Sequence, residues 1–599
     1  MLNSTPLNSW PLNALAGGAK PDDPDVIDPP APPDPPLAGD GVYPGFPVPP
    51  PPSGHSFRWS AVVLLGGADV SELLTGSISV DREEGAAGIA EFCLFYMPGE
   101  PVQTDLADRT VTIDYITDDG LDALQVRLFT GLVAEPRWDA TARTMRITAT
   151  DNLQQRVEAM TITDIDTLAG GAWSPDLFDL TDGRSRWDYA QERMSSRAAS
   201  LDCSSDGKLR VTPWQAAPPR YIFGDDTTAY QSIRIDLAQL RNVTNRVEIE
   251  VSYRYTRMRE ARAQFSWTHP RGDFCNWRQM STELPTRDMV FSATTGASLV
   301  PIIGSWTALP PTHPDPCGTG APWINNQSDL ILGAQWTGAR RWAQSVTEKY
   351  NLTLTTEAGE VTGQQVITRT GFNAIVDADD ADTWAKSLVS IDPAAEKPAP
   401  SPALPAGDRT DEVRRTAALN CALQVARTEI LAAHRQTLVS WAVPTSMALG
   451  VDLTHTIEIS DQGATARAKC SHRTDELNFE TGSAITSLTI SVMRGGGESD
   501  VLAVPARIGA GGDTGGGAGW DGVKTLPSQF GGRFVSPIYD DMLDGFSGNY
   551  DARQDSTLEI FPRRLALTAP AIDESKTDEL ELGAAVVYSV GIPNDLLEL

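Results

Sequence analysis

Apolar and polar side chains alternate with period two over much of the chain, the mark of half-buried strands. Val111, Ile113 and Tyr115 alternate with Thr112 and Asp114, and Met145, Ile147 and Ala149 with Arg146, Thr148 and Thr150. Turn signals such as Asp118-Asp119-Gly120 separate the runs, so residues 56–160 read as an antiparallel barrel or sandwich. The cleanest strand places Val247, Ile249, Val251, Tyr253 and Tyr255 against Arg246, Glu248, Glu250, Ser252 and Arg254. Strand patterns return at Thr437–Trp441, His455–Ile459 and Leu488–Val492, a second β-rich unit ending near residue 495. Helical spacing is confined to Asp188–Ala199 and to Asp411–His434, where Val413, Ala417, Cys421 and Val425 form one apolar stripe. Asp206-Gly207 reads as a hairpin turn before Leu209-Arg210-Val211.

The segments between break these periods. Leu2-Asn3, Leu7-Asn8 and Leu12-Asn13 recur every five residues, with Pro6 and Pro11 between them, which suits neither a helix face nor a strand face. Residues 21–52 hold 14 of the 43 prolines, six aspartates and no Lys or Arg. They read as a stiff, charge-extended spacer, with the Leu-Asn repeat as a tethered docking peptide. The expected domains are therefore 1–55, a docking arm; 56–160, a first β-barrel; 161–230, a mixed α/β unit; 231–404, the long strand with a Trp-rich insert and linker; 405–495, a helix with a second barrel; and 496–599, a glycine-rich tether and acidic extension. Residues 265–345 read as irregular, with Trp267, Trp277, Trp306, Trp323, Trp336 and Trp342 either anchoring a long loop or gripping sugars or a partner. Arg257–Arg262 reads as a solvated strand end or a basic patch for an acidic partner. Pro398–Pro405 reads as a second linker.

Composition narrows the function. The 599 residues carry 48 Lys+Arg against 79 Asp+Glu, a net charge of −31, which disfavours a nucleic-acid binder because a polyanion needs cations to displace its counterions. Hydrophobic residues make up 41%, enough for real cores, and no apolar run approaches the ~18 residues of a membrane span. A secretory leader is not expected. The six cysteines (93, 203, 275, 317, 421, 470) form no C-x-x-C, so separate buried thiols are the default. Cys275 and Cys317 share one loop-rich stretch, where a bond between them, or an iron–sulfur cluster with two more cysteines, is the alternative. The histidines show no metal-ligand spacing. There is no H-E-x-x-H, G-x-S-x-G or phosphate-loop motif, and adjacent acids such as Glu83-Glu84 are expected by chance among 79. No enzyme and no cofactor are expected.

Three stretches resemble phage tail hub (baseplate hub) proteins of long-tailed phages. Leu74–Val80 followed by Gly85–Phe92 is similar to the opening hairpin of a first hub barrel, with Ala90, Phe92 and Leu94 alternating. Phe129-Thr130-Gly131-Leu132-Val133 followed by Met145–Leu153 resembles the end of that barrel. Val451–Ile459 and Thr481–Ile490 resemble the last barrel. The resemblance covers residues 56–260 and 405–495; the arm, the Trp-rich insert and the acidic tail depart from it. It implies a mainly β fold with some α, in which two antiparallel β-barrel-like tail-tube-type domains flank smaller mixed domains and the termini extend. It also implies a homotrimer whose six similar units match a sixfold tail tube or distal tail protein on one side and a threefold central fibre or spike on the other. Such a ring sits at the distal end of a virion tail, and its acidity lets transiting double-stranded DNA slide. A tail-associated carbohydrate-binding or depolymerising protein, and a secretion-system protein built on the same barrels, are the rival readings.

Overall fold

Alternating burial between Arg58 and Thr150 builds seven strands: β1 (Arg58–Leu65), β2 (Ala68–Asp69), β3 (Leu74–Glu83), β4 (Ile89–Phe95), β5 (Thr110–Asp118), β6 (Ala123–Asp139) and β7 (Thr144–Thr150). They hydrogen-bond in the order β3-β4-β7-β6-β5-β1-β2. Their inward side chains, among them Val63, Val80, Phe92, Ile113, Phe129 and Ile147, meet in one core, so the sheet curls on itself. Gly131 is required where β6 crosses β7: a Cβ there would lie 2.3 Å from the Thr150 carbonyl oxygen. The computed structural model describes residues 58–118, 123–180, 183–224, 227–239, 243–280, 282–327, 329–356, 367–375, 381–392, 406–509, 516–532, 538–550 and 560–599. The expected docking arm and the Pro398–Pro405 linker lie outside them.

Three short helices follow, Leu153–Glu158, Ile162–Ala169 and Arg186–Ser195. The last is shifted from the expected Asp188–Ala199 because Ser185 caps it, accepting from the Asp188 N–H, and Ala199 already opens a strand. That strand, β8 (Ala199–Cys203), pairs with β9 (Leu209–Pro213) across the expected turn, where Gly207 has φ +74°. Two short strands, β10 (Tyr221–Phe223) and β11 (Arg234–Asp236), complete this region.

The clean alternation at Val247–Tyr255 belongs to β12 (Arg246–Thr268), which pairs without a break against β14 (Ile331–Thr355), a ribbon about 80 Å long. β13 (Val300–Ala308) flanks the distal half of β14, while β15 (Ile367–Ile375) and β16 (Gly407–Arg409) flank β12. The Arg257–Arg262 segment is neither a solvated end nor a patch. β12 is covered on both faces from Arg257 to Ala261: Arg257 lies 2.6 Å from Asp408, and Arg341 and the 56% exposed Arg262 both pair with Glu260. Nor is 265–345 an irregular insert; it holds the distal ribbon, with Trp267, Trp277 and Trp336 in its core. Cys275 and Cys317 form a disulfide, which corrects the reading of separate thiols for that pair and commits both sulfurs to each other. Among the described residues, Cys93, Cys203, Cys421 and Cys470 take no part in a disulfide.

The long helix Glu412–Ala433 is capped by Asp411, whose carboxylate accepts from the Arg414 N–H. Its expected stripe holds only in part: Val413 is 70% exposed, Cys421 is fully buried and Val425 packs at the edge, while Leu419, Ala422, Leu423, Ala426 and Ile430 join them against Val247–Tyr255 of β12 and the facing residues of β14. The second β unit is β17 (Thr437–Pro444), β18 (Thr456–Asp461), β19 (Ala464–Asn478) and β20 (Ser483–Val492).

Beyond it, residues expected to form a tether and an acidic arm are built into the sheets. β21 (Gly516–Leu526) runs parallel to β12, and β25 (Leu580–Ser589) runs parallel to β14. β22 (Ser528–Gly531), β23 (Gly545–Asn549) and β24 (Arg564–Ala566) form a small sheet against the Trp core, and β26 (Leu596–Glu598) pairs with β19. The fold is mainly β with some α, as expected, but neither β unit closes into a barrel. The outer edge of β3 pairs with β19 instead of returning to β1, which joins the two units in one 14-stranded sheet. Among the described residues no helix is long and apolar enough to cross a membrane.

Candidate functional site: the seam between two like modules

The two β units share one plan. β4 to β7 hydrogen-bond in the order β5-β6-β7-β4, and β17 to β20 repeat it as β18-β19-β20-β17, every pairing antiparallel. β3 flanks β4 as β11 flanks β17, both antiparallel. β1 flanks β5 in the place where β10 flanks β18, although β10 runs parallel. One irregularity is shared as well, although the bulge between β5 and β6 at Ile113/Asp114 has no counterpart between β18 and β19. The longest strand of each unit, β6 and β19, changes partner midway and carries a bulge just after the change, at Val133/Glu135 and Cys470/His472.

The modules meet where β19 runs antiparallel to β3 over seven residue pairs, from His472↔Glu83 to Asn478↔Ser77. The tip of the β19–β20 hairpin fills the gap left between β3 and β1. Leu477 enters the first module's core, Trp59 Nε1 donates to the Gly482 carbonyl at 2.8 Å, and the Trp59 and Phe479 rings lie 5.4 Å apart.

Charged side chains occupy the inner side of this seam. Arg82 Nη1 lies 3.1 Å from Asp452 Oδ1, a charge contact rather than a hydrogen bond. Arg210 donates to Asp452 and, at 2.7 Å, to Asp202. Arg473 makes a two-pronged contact with Asp475 at 2.8 and 2.9 Å, and Arg435 reaches Glu84 at 2.7 Å while stacking over Trp214. Burial alone would raise the Asp452 carboxyl, but the Arg210 hydrogen bond and the charges of Arg82 and Arg210 overcome it and hold the group well below the usual carboxylate range. Burial wins at Asp202 and Glu84, which are raised despite their arginines. Each of these carboxylates is spent on a guanidinium, so the cluster fixes the angle between the modules and offers no free base.

The outer side carries His472, hydrogen-bonded through Nε2 to Asp81, which also accepts from Thr474 at 2.8 Å. The Asp81 hydrogen bond raises the His472 pKa, and the same bond lowers that of Asp81. The histidine's contribution is therefore full below its unfolded value near 6.5 and fades as pH rises through its raised value; the aspartate's is full above about 3.9 and fades on acidification. The seam is expected to be tightest between about pH 4 and 6.5. The side chains are 38% and 48% exposed, so the gain is under about 1 kcal/mol. Amide exchange across Ser77–Glu83 should speed up between pH 6 and 8.5, after correction for intrinsic rates, and His472→Gln should abolish that change; an unaltered pH response in the variant would count against it.

The site residues expected from sequence, Leu2, Asn3, Leu7, Asn8, Leu12 and Asn13, lie outside the described residues. The seam residues were missed, although Arg473 and Asp475 stand at core-facing positions of an alternating strand, a visible anomaly. Among the described residues no three His, Cys, Asp or Glu side chains converge as metal ligands. The Trp277 ring is buried and its Nε1 donates to the Thr282 carbonyl.

No protein-family model and no curated protein matches the chain. Solved structures of low similarity include tail proteins. A tail protein from Neisseria meningitidis is 10% identical over 72% of this chain and 96% of its own, with a TM-score of 0.33. The 43 kDa tail protein of prophage MuSo2 from Shewanella oneidensis is 11% identical over 72% and 97%, TM-score 0.34. A prophage tail protein from Listeria monocytogenes is 8% identical over 72% and 94%, TM-score 0.27.

Proposed function

We propose that the protein is a structural tail hub. Three copies close into a ring of six like modules, which adapts a sixfold tail tube or distal tail protein to a threefold central fibre or spike at the distal end of a virion tail. One observation carries the reading: a single strand plan occurs twice in the chain and the two copies are joined edge to edge. Two modules per chain convert threefold symmetry into a sixfold face without a second kind of subunit. The net charge of −31 suits a channel through which double-stranded DNA slides, since a negative wall repels phosphate. The work is mechanical and electrostatic, with no bond made or broken.

Mass measurement and negative-stain imaging of the purified chain test it. A three-subunit particle with a central opening is expected; a monodisperse single chain at tens of micromolar would overturn the reading. The carbohydrate-binding alternative loses its motive where the Trp-rich ribbon turns its rings into a core.

A further inference from the structure

We infer that β6 of one copy pairs antiparallel with β11 of the next, with Arg137 opposite Asp236, Trp138 opposite Ile235 and Asp139 opposite Arg234. The inference deepens the ring reading and rests on it.

It starts from strand edges. In β19, Ala464–Lys469 pairs with β18 and Lys469–Asn478 with β20, and the edge that β18 vacates, from His472 onward, is taken by β3. In β6, Ala123–Leu132 pairs with β5 and Leu132–Asp139 with β7. The edge that β5 vacates, Glu135–Asp139, is taken by no strand among the described residues. β11 holds in the second module the place of β3 in the first, and among the described residues no strand takes its outer edge either. Each chain thus presents an unused version of both halves of its own seam, on different modules. Contacts of this head-to-tail kind close into rings when the rotation allows.

The repeat also fixes the register. Matching the bulges puts Glu135 on His472, hence Arg137 on Thr474, Trp138 on Asp475 and Asp139 on Glu476. On the other side, Leu132 pairs with Thr150 as Lys469 pairs with Ser491, so Thr150 matches Ser491. Ile89, opposite Thr150, then matches Leu438, opposite Ser491. Their partners follow: Asp81 matches Asp236, Val80 matches Ile235 and Ser79 matches Arg234. The seam pairs Thr474↔Asp81, Asp475↔Val80 and Glu476↔Ser79 translate into the three contacts proposed.

This backbone register sets two opposite charges against each other twice and an aromatic ring against an isoleucine. The surroundings fit an unfilled contact. Arg137 is 75% exposed on its side chain and, among the described residues, is held by its neighbour Glu135 at 2.7 Å. Trp138 is 38% exposed, whereas Asp475 and Val80, at the matching seam positions, are each 1% exposed. Beside β11 lies an open recess of about 540 Å³ lined by Ile235, Leu237 and Gln436, with Leu237 60% exposed. Pro136, which has no N–H to give, falls opposite Leu237, beyond the end of β11, where no ladder bond is required.

The test uses the full-length chain. Arg137→Asp is expected to weaken self-assembly at least tenfold, read by mass at graded concentrations, and adding Asp236→Arg should restore it. Mixing an Arg137→Cys chain with an Asp236→Cys chain under mild oxidation should yield a cross-linked dimer that neither chain forms alone. A ring that is indifferent to Arg137→Asp and gives no cross-link would overturn this contact and leave the ring standing. A wild-type chain that stays single at every concentration would remove both.

Discussion

An Asp452→Ala chain is expected to lose about 3–5 kcal/mol of the free energy that joins the two modules. Asp452 receives Arg82 at 3.1 Å and Arg210 at 3.0 Å, and the Arg82 side chain is only 6% exposed. Arg210 retains Asp202 at 2.7 Å when Asp452 is removed, but Arg82 loses its 3.1 Å carboxylate and keeps only the longer-range charge of Asp475, with an Nε that already has no hydrogen-bond partner. The stranded guanidinium, more than the lost attraction, sets the size of the effect. Amide exchange in Ser77–Glu83 and His472–Asn478 should rise together, while exchange in the Val247–Tyr255 core should hardly change. Uniform protection in the variant would show that the seam does not depend on this cluster. Because its arginines depress the Asp452 pKa, its contribution is present above about pH 3.9 and is lost only as pH falls through the lowered value.

Gly131→Ala should damage the first module by about 3 kcal/mol, although it adds a single methyl group. The new Cβ would meet the Thr150 oxygen at 2.3 Å, the Thr150 carbonyl carbon at 2.7 Å and the Phe129 ring at 2.6 Å. Two of those atoms are backbone of β7 held in ladders with β4 and β6, so neither can step aside alone. Gly296→Ala is the control, since nothing lies within 4 Å of its added carbon, and it should change stability by less than about 0.5 kcal/mol. Denaturant midpoints and limited proteolysis between Arg58 and Thr150 separate the two; equal behaviour would exclude the clash.

Gly131 also shows what a resemblance can and cannot carry. The Phe-x-Gly-x-Val pattern located the strand, but the reason for its glycine is a contact with a carbonyl 19 residues on, visible only once β7 is placed. Val247–Tyr255 was legible because one face of that strand is buried and the other wet. Past Tyr255 the alternation fails, since Arg257, Met258, Arg259, Glu260 and Ala261 are all buried, and buried arginines paired with distant acids look in sequence like a surface patch. The long helix was legible from its cap and its formers, but its packing face was not: buried on several sides, it has no single stripe to find. The C-terminal strands were hidden by the acidity of the surrounding residues, and strand pairing with β12 and β14 leaves no periodic mark of its own. The seam joins residues 391 positions apart, beyond the reach of any local rule.

That separation has a consequence for synthesis. At ~5–20 residues per second, a ribosome needs roughly 20–80 seconds to make β19 after it has made β3. Throughout that interval the nascent first module carries an unpaired outer edge on β3 and an uncapped apolar mouth where Leu477 and Phe479 will sit. Polysomes bring such half-made chains close together, and a bare strand edge is a template for the wrong neighbour. Slower initiation or lower temperature during production should therefore raise the soluble yield of the intact chain more than that of a fragment ending near Asp151, whose edge is never covered.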